Sequence, residues 1–207
     1  MTGLVRLGLS PRVPGLSREQ AQRHWRGVHA ALFARVPGVR SYVQNHAVLD
    51  ARGEPLLGDP GFDIFSEVEF ASDEDMAQAM ASRWYRLQVI PDEKQLLDAS
   101  RRCFLVTQRR AGTPSAAPGD CRLVLFVAGA VNDAREGVVR YDVQSAGGPA
   151  PRHLDTVLAR WCASPQEAVR LHDTWVRELS DQGARVEAAV VAREHVVVPR
   201  KQAKAAS

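Results

Sequence analysis

From Pro14 to His46 the chain sets out a helix start, a tryptophan- and histidine-bearing helix face, a Pro-Gly turn and a polar-tipped strand. Ser17 followed by Gln20 is a capping-box pattern, in which each side chain bonds a backbone N–H of the other residue, so a helix is predicted to begin there. Trp25, Val28, His29, Leu32 and Val36 recur at helical spacing and define one face turned toward a core. His29 therefore stands in an apolar stripe. Pro37 and Gly38 end this helix at Val36, and the β-branched and aromatic run from Val39 to Leu49 reads as a strand. His24 and His29 are five residues apart, which in an α-helix puts them on different faces and argues against a shared metal ion.

Further strands are predicted at 4–9, 62–70 and 101–108, and Ser72 with Asp75 opens a second helix running through Met76, Met80 and Trp84. That βαββαβ order is ferredoxin-like. Gly112, Pro114, Pro118 and Gly119, among small polar residues, mark 110–120 as a linker. Beyond it, strands at 121–131, 138–145, 154–162 and 185–198 accompany one helix, 165–180. At an offset of 92 residues, Asp63, Ala71, Ser72 and Asp75 overlie Asp155, Ala163, Ser164 and Glu167, so a strand leading into a capped helix occurs twice. Too little chain separates Val131 from Gly137 for a helix. The predicted class is α+β: two tandem ferredoxin-like units, residues 1–109 and 121–199, the second degenerate and lacking its first helix, with 200–207 a disordered basic tail. Two such sheets can pack face to face into a barrel-like core.

Composition narrows the partners. Hydrophobic residues at 45% and charged residues at 25% are ordinary for a globular protein. No apolar run reaches the roughly 18 residues that span a bilayer and no signal peptide pattern leads the chain, which points to a cytoplasmic protein without a membrane partner. The net charge of +3 is supplied by Arg200, Lys201 and Lys204, so residues 1–199 are neutral. A nucleic-acid binder would carry a basic stripe on its folded body, so no nucleic acid is expected. Cys103, Cys121 and Cys162 are widely spaced in strand-like contexts and read as reduced and buried. No metal-ligand spacing, phosphate-binding glycine loop or Gly-x-Ser-x-Gly elbow occurs, and no cofactor is expected.

Arg12-Val-Pro-Gly-Leu-Ser17, His24-Trp25 with Val28-His29, Val36-Pro-Gly38, Tyr42-Val-Gln-Asn-His46, Phe62-Asp63 leading to Glu67 and Phe70, and Asp92-Glu93 with Asp98 together resemble the EthD-domain family of the dimeric α/β-barrel group. The resemblance covers residues 4–108. It implies a pocket between the helices and the sheet, lined by His, Tyr and Trp, that takes a small hydrophobic substrate. Relatives in the group include polyketide cyclases, muconolactone isomerases, haem-using aldoxime dehydratases and cofactor-free monooxygenases, so haem is not excluded, and fold alone decides little. The second half shares the layout only: it has no counterpart of His29 and carries Ala159 where the first copy has Glu67.

Three residues are candidates for catalysis. An imidazole at His29, desolvated beside tryptophan, can act as a base near neutrality; the alternative is a core histidine bonded to a backbone carbonyl. Tyr42 and His46 share one face of their strand and could stabilise an oxyanion or pass a proton, or else form a polar face that closes the barrel against the second half. Trp25, Phe33, Asn45, Phe65, Glu67 and Trp84 are the candidate substrate-binding residues. Asp63, Glu67 and Glu69 share a strand face, and such acids are commonly paired with arginines. His172, on the C-terminal helix, reads as structural.

The function expected is a cofactor-independent lyase, isomerase or cyclase acting by proton transfer on an aromatic or polyketide-like carbonyl compound. The alternatives are a non-catalytic small-molecule-binding accessory protein and a cofactor-free monooxygenase. A homodimer stays open, as does whether the two halves pair within one chain.

Overall fold

The computed structural model describes residues 4–110, 119–131 and 137–200. Most of the predicted linker and the tail beyond Arg200 lie outside these described residues, as do residues 132–136.

Eight strands form a closed antiparallel barrel: β1 (Leu4–Ser10), β2 (Ser41–Ala47), β3 (Ile64–Phe70), β4 (Cys103–Arg110), β5 (Cys121–Ala128), β6 (Val138–Gly147), β7 (Thr156–Cys162) and β8 (Arg185–Val198). Around the barrel the order is β1-β3-β2-β8-β5-β7-β6-β4, and β4 pairs back onto β1. The first four strands thus run β4-β1-β3-β2 and the last four β8-β5-β7-β6. The halves do not stack as two open sheets, as the sequence suggested. They are stitched edge to edge, β2 to β8 and β4 to β6, so every strand edge is hydrogen-bonded within one chain.

Alternation along each strand sends one set of side chains into the barrel and the other out under the helices. Val5, Leu7, Leu9, Phe65, Val124 and Phe126 fill the interior. Phe62, Phe65 and Phe126 meet edge to face there, with centroids 5.3–6.1 Å apart. β5 is buried along its whole length, because Leu123, Leu125 and Val127 point the other way, beneath α5 (Pro165–Asp181) and its Trp175 and Leu179. Cys103, Cys121 and Cys162 are buried and free.

The first half carries two helical stretches on its outer face. One is α1 (Arg18–His24), a π-helical segment Trp25–His29 and α2 (Ala30–Phe33). Ser17 makes the full capping box with Gln20. The other is α3 (Asp73–Ala81), a π segment Tyr85–Val89 and α4 (Ile90–Leu96). Ser72 and Ser164 each accept the backbone N–H three residues on, at 3.2 Å, as the overlaid sequence copies imply. The second helical stretch runs past Trp84 to Leu96, beyond its predicted extent. The chain breaks at Ser82, whose backbone is extended, and restarts with the Ser82 hydroxyl accepting from Tyr85 N–H. Pro91 then stands at the start of α4, which follows directly on the π segment. Among the described residues no helix lies between β5 and β6, and α5 alone covers the second half. No helix is long and apolar enough to cross a membrane.

Candidate active site between the helices and the barrel

The π segment decides which side chains reach the site. A π turn closes i→i+5 hydrogen bonds and so holds more residues than an α turn. Four residues overshoot an α turn and fall short of a π turn, so the buried line runs at every fourth position: Ala21, Trp25, His29 and Phe33. Val28, expected on that face, is 54% exposed. The same wide turn corrects the reading of His24 and His29. These two rings, five residues apart, meet a single carboxylate: His24 Nε2 lies 2.7 Å from Asp92 Oδ1, and His29 Nδ1 lies 2.8 Å from Asp92 Oδ2.

Asp92 sits in the first turn of α4 and is buried, as is His29. Burial alone would raise the Asp92 pKa, but the hydrogen bonds from His29 and His24 outweigh it and hold the carboxyl below its ordinary value. An ionised carboxylate only accepts, so both imidazoles donate to it. That fixes His29 as the Nδ1–H tautomer in its neutral form. Its Nε2 then carries a lone pair and has no hydrogen-bond partner among the described residues.

His29 lines a cavity of about 30 Å³, room for one water, between the helical stretches and β1, β3 and the start of β2. Trp25 and Phe33 wall it from the helices, and Arg6, Tyr42 and Ser66 from the sheet. The Tyr42 hydroxyl accepts from Trp25 Nε1 at 3.0 Å and from Gln44 Nε2 at 2.9 Å. Both of its lone pairs are thereby used, which leaves the O–H free to donate. Burial raises the Tyr42 pKa, so the phenol keeps its proton.

His46 does not reach this cavity. It stacks on the other side of Trp25, with ring centroids 4.6 Å apart, and its Nε2 lies 3.0 Å from Gln44 Oε1. Gln44 thus bridges His46 to Tyr42, and its amide also donates to the Trp25 carbonyl at 2.8 Å. Burial, with Arg26 and His195 nearby, lowers the His46 pKa to about 4. His46 instead borders an open groove of about 460 Å³ shared with Arg23, Arg26 and Arg193. Tyr42, Gln44 and His46 face the helices, and His46 also lies beside His195 of the second half, their ring centroids 6.1 Å apart.

The other candidate residues lie elsewhere. Asn45, Phe65 and Glu67 point into the barrel. Glu67 accepts there from Tyr141 (2.7 Å), Arg122 (2.9 Å) and Asn45 (3.1 Å), and Arg122 also pairs with Glu194. Burial would raise the Glu67 pKa, yet Arg122 and these donors bring it below its ordinary value. Asp63 and Glu69, on the same strand face, are likewise held by arginines: Arg12 and Arg18 for Asp63, Arg200 for Glu69. Trp84 lies outside the cavity lining. Its Nε1 donates to the Leu32 carbonyl at 2.9 Å, and Arg35 stacks on its ring. Four of the nine candidates, Trp25, His29, Phe33 and Tyr42, meet around one cavity.

The sequence reading passed over Asp92, Gln44 and Arg6 as site residues. Asp92 stood among the motif residues, directly after Pro91, and that motif was the available signal.

Among the described residues no group of three or more His, Cys, Asp or Glu is arranged to hold a metal ion. As it stands, the cavity beside His29 admits one water, which leaves no room for a haem.

A closed α/β barrel with its helices outside defines the class, and solved structures of that class follow the chain from end to end. A protein described as anthrone oxidase-like matches with a TM-score of 0.63 at 11% identity, over 99% of this chain and 98% of that one. A candidate chlorite dismutase matches at 0.54 and 11%, over 95% and 96%. A candidate monooxygenase from Fusobacterium nucleatum subsp. nucleatum matches at 0.50 and 7%, over 95% and 93%. At such identities the likeness is one of fold, that of the dimeric α/β barrels. More narrowly, residues 13–100 match the family model of the EthD domain. Among curated proteins, none matches the chain in sequence.

Proposed function

We propose that the protein is a cofactor-independent enzyme that moves a proton on a small hydrophobic carbonyl compound, aromatic or polyketide-like, in the cavity beside His29. The observation that carries this reading is the Asp92–His29 pair, which turns Nδ1 to the carboxylate and leaves Nε2 without a hydrogen-bond partner in a residue that lines the cavity. His29 Nε2 takes a proton from carbon next to the carbonyl; Asp92 keeps the tautomer and balances the imidazolium that forms. The Tyr42 O–H donates to the carbonyl oxygen as it becomes an enolate. Trp25 and Phe33 exclude water. His46 acts through Gln44, which orients Tyr42. Return of the proton at another carbon completes an isomerisation; expulsion of a neighbouring group completes a lyase reaction. A substrate larger than water must open the cavity, and the Ser82 break and the two π segments are where the helices depart from regular hydrogen bonding. Asn45, Phe65 and Glu67 serve the barrel itself, and Trp84 braces Leu32.

Two tandem ferredoxin-like units, 1–109 and 121–199, the second without its first helix, account for the matching strand orders of the two halves. Since the barrel closes within one chain, a homodimer would add an interface without completing the fold.

A cofactor-free oxygenase is the second reading, favoured by the end-to-end fold match to the anthrone oxidase-like protein. The same deprotonation would then deliver a carbanion to O₂, turning a methylene into a carbonyl with one O₂ consumed and one water released. Untargeted mass spectrometry of small-molecule extracts from the cells that make the protein, incubated with wild type or with folded His29→Ala, tests both. A compound consumed by wild type alone supports the enzyme. Unchanged mass marks isomerisation, a lost fragment a lyase, and oxygen gained with two hydrogens lost an oxygenase. A compound that co-purifies unchanged with both proteins overturns the enzyme reading in favour of an accessory binding protein.

A further inference from the structure

Arg6 projects from β1 into the His29 cavity with its hydrogen-bonding capacity unspent. Its guanidinium lies 4.8 Å from the centre of the Phe104 ring and makes no hydrogen bond or ion pair with any described residue. Glu93, the nearest acid of the cavity, is already taken by the Tyr85 hydroxyl at 3.0 Å and by Arg102 Nη1 at 3.0 Å. Arg102 keeps its own buried Nε without a partner. Two guanidiniums therefore face the one carboxylate of the cavity lining, Asp92 being committed to His24 and His29, and planar donors are left over. Burial also lowers the Arg6 pKa, an effect that Tyr85 and Glu93 offset only in part. The floor beneath Arg6 is kept open by Gly8: a Cβ there would stand 2.6 Å from Ser66 Oγ and 3.8 Å from Arg6 Nη1.

Arg6 is half-buried and the Arg102 Nε beside it is buried without a partner, a costly arrangement, and arginine forks match carboxylates in pairs of parallel hydrogen bonds, so the pair suits a ligand that supplies the acceptors. We infer that the His29 cavity takes a ligand bearing an anionic oxygen group, a carboxylate or a phenolate, seated on Arg6 with Arg102 beside it. The identity of that ligand as substrate rests on the proposed function; the anion site itself does not. Arg6 then fixes which end of the molecule is held, and hence which carbon faces His29.

Acetate, benzoate and 4-nitrophenolate, with acetamide and benzamide as neutral counterparts of the carboxylates, are titrated into the whole protein by calorimetry while the Arg6 Nε–H resonance is followed by NMR. At least one anion is expected to shift that resonance. A carboxylate should bind at least about tenfold tighter than its amide, weakening as salt is added; binding of 4-nitrophenolate alone would assign the site to phenolates. Arg6→Gln should abolish anion binding, and Arg6→Lys, which keeps the charge without the fork, should retain part of it. His29→Ala should leave it intact, so anion binding in His29→Ala without any His29-dependent turnover would sink the proposed reaction and keep the anion site. The inference is overturned if no anion moves the Arg6 resonance, if amides bind as well as carboxylates, or if folded Arg6→Gln binds the anions like wild type. Should Arg6→Gln fail to fold, the anion-to-amide ratio and its salt dependence in wild type decide the matter.

Discussion

His46 makes the protein's stability depend on pH, beginning at a higher pH than that at which most carboxylates start to titrate. The ring is 8% exposed, stacked on Trp25 and bonded to Gln44, and burial holds its pKa at about 4 against an ordinary 6.5. A histidine whose folded pKa is depressed binds its proton first in the unfolded chain. Stability from the neutral ring is therefore complete above pH 6.5 and drains away as pH falls toward 4. Linkage between those two values gives a loss of about 2 kcal/mol between pH 7.5 and pH 5, and about 3 kcal/mol by pH 4. His195, 6.1 Å away and also lowered by burial, adds in the same direction. His46→Phe isolates the effect, since phenylalanine can stack on Trp25 but cannot titrate. At pH 7.5 that variant should lose about 1–3 kcal/mol, because Gln44 Oε1 is left unpaired in the core. Its further loss on going to pH 5 should be smaller than that of wild type by about 2 kcal/mol. Urea denaturation at the two pH values measures all four numbers. A wild-type pH loss that survives undiminished in His46→Phe would refute the reasoning, as would His46 ring resonances titrating near 6.5.

Other consequences follow from single contacts. Arg122→Met strands Glu67 inside the barrel and should cost about 3–5 kcal/mol in denaturant melts, while adding Glu67→Gln should recover most of it. Asp92→Asn removes the acceptor that fixes the His29 tautomer: ring ¹⁵N shifts should pass from Nδ1–H toward Nε2–H, and turnover should fall by about 10²–10⁴-fold. Gly8→Ala should destabilise by about 1–3 kcal/mol through overpacking against Ser66 Oγ, and Ser66→Ala in the same chain should relieve it, which a double-mutant cycle reads directly.

The elements were legible where local chemistry acts alone. Ser17, Ser72 and Ser164 announced helix starts that the structure bears out, and the apolar, β-branched and aromatic runs announced all eight strands. Whether the halves stack or join edge to edge is settled by nonlocal pairing, such as Asn45 opposite Glu194, which a single chain's pattern does not expose. The site was half legible. His29, Trp25, Phe33 and Tyr42 stood out by residue type on amphipathic elements, but a constant helical period was assumed. The π segment breaks that period, so Val28 was placed inward and the His24–His29 pair was missed. Strand β2 misled for another reason. Both of its faces are buried, one under helices and one inside the barrel, so parity alone could not tell Asn45 from Tyr42 and His46. Glu67 stood out as a substrate-binding candidate through the family resemblance; the arginine that neutralises it, Arg122, lies 55 residues away.

Proton abstraction by His29 is most directly tested by incubating the protein with small-molecule extracts in D₂O and following deuterium gained at carbon by mass spectrometry. Exchange reports the abstraction step even where no net product accumulates. The account predicts a compound that gains one deuterium with wild type, far more slowly with Asp92→Asn, and not at all with His29→Ala of matched fold. Equal exchange with His29→Ala would contradict it.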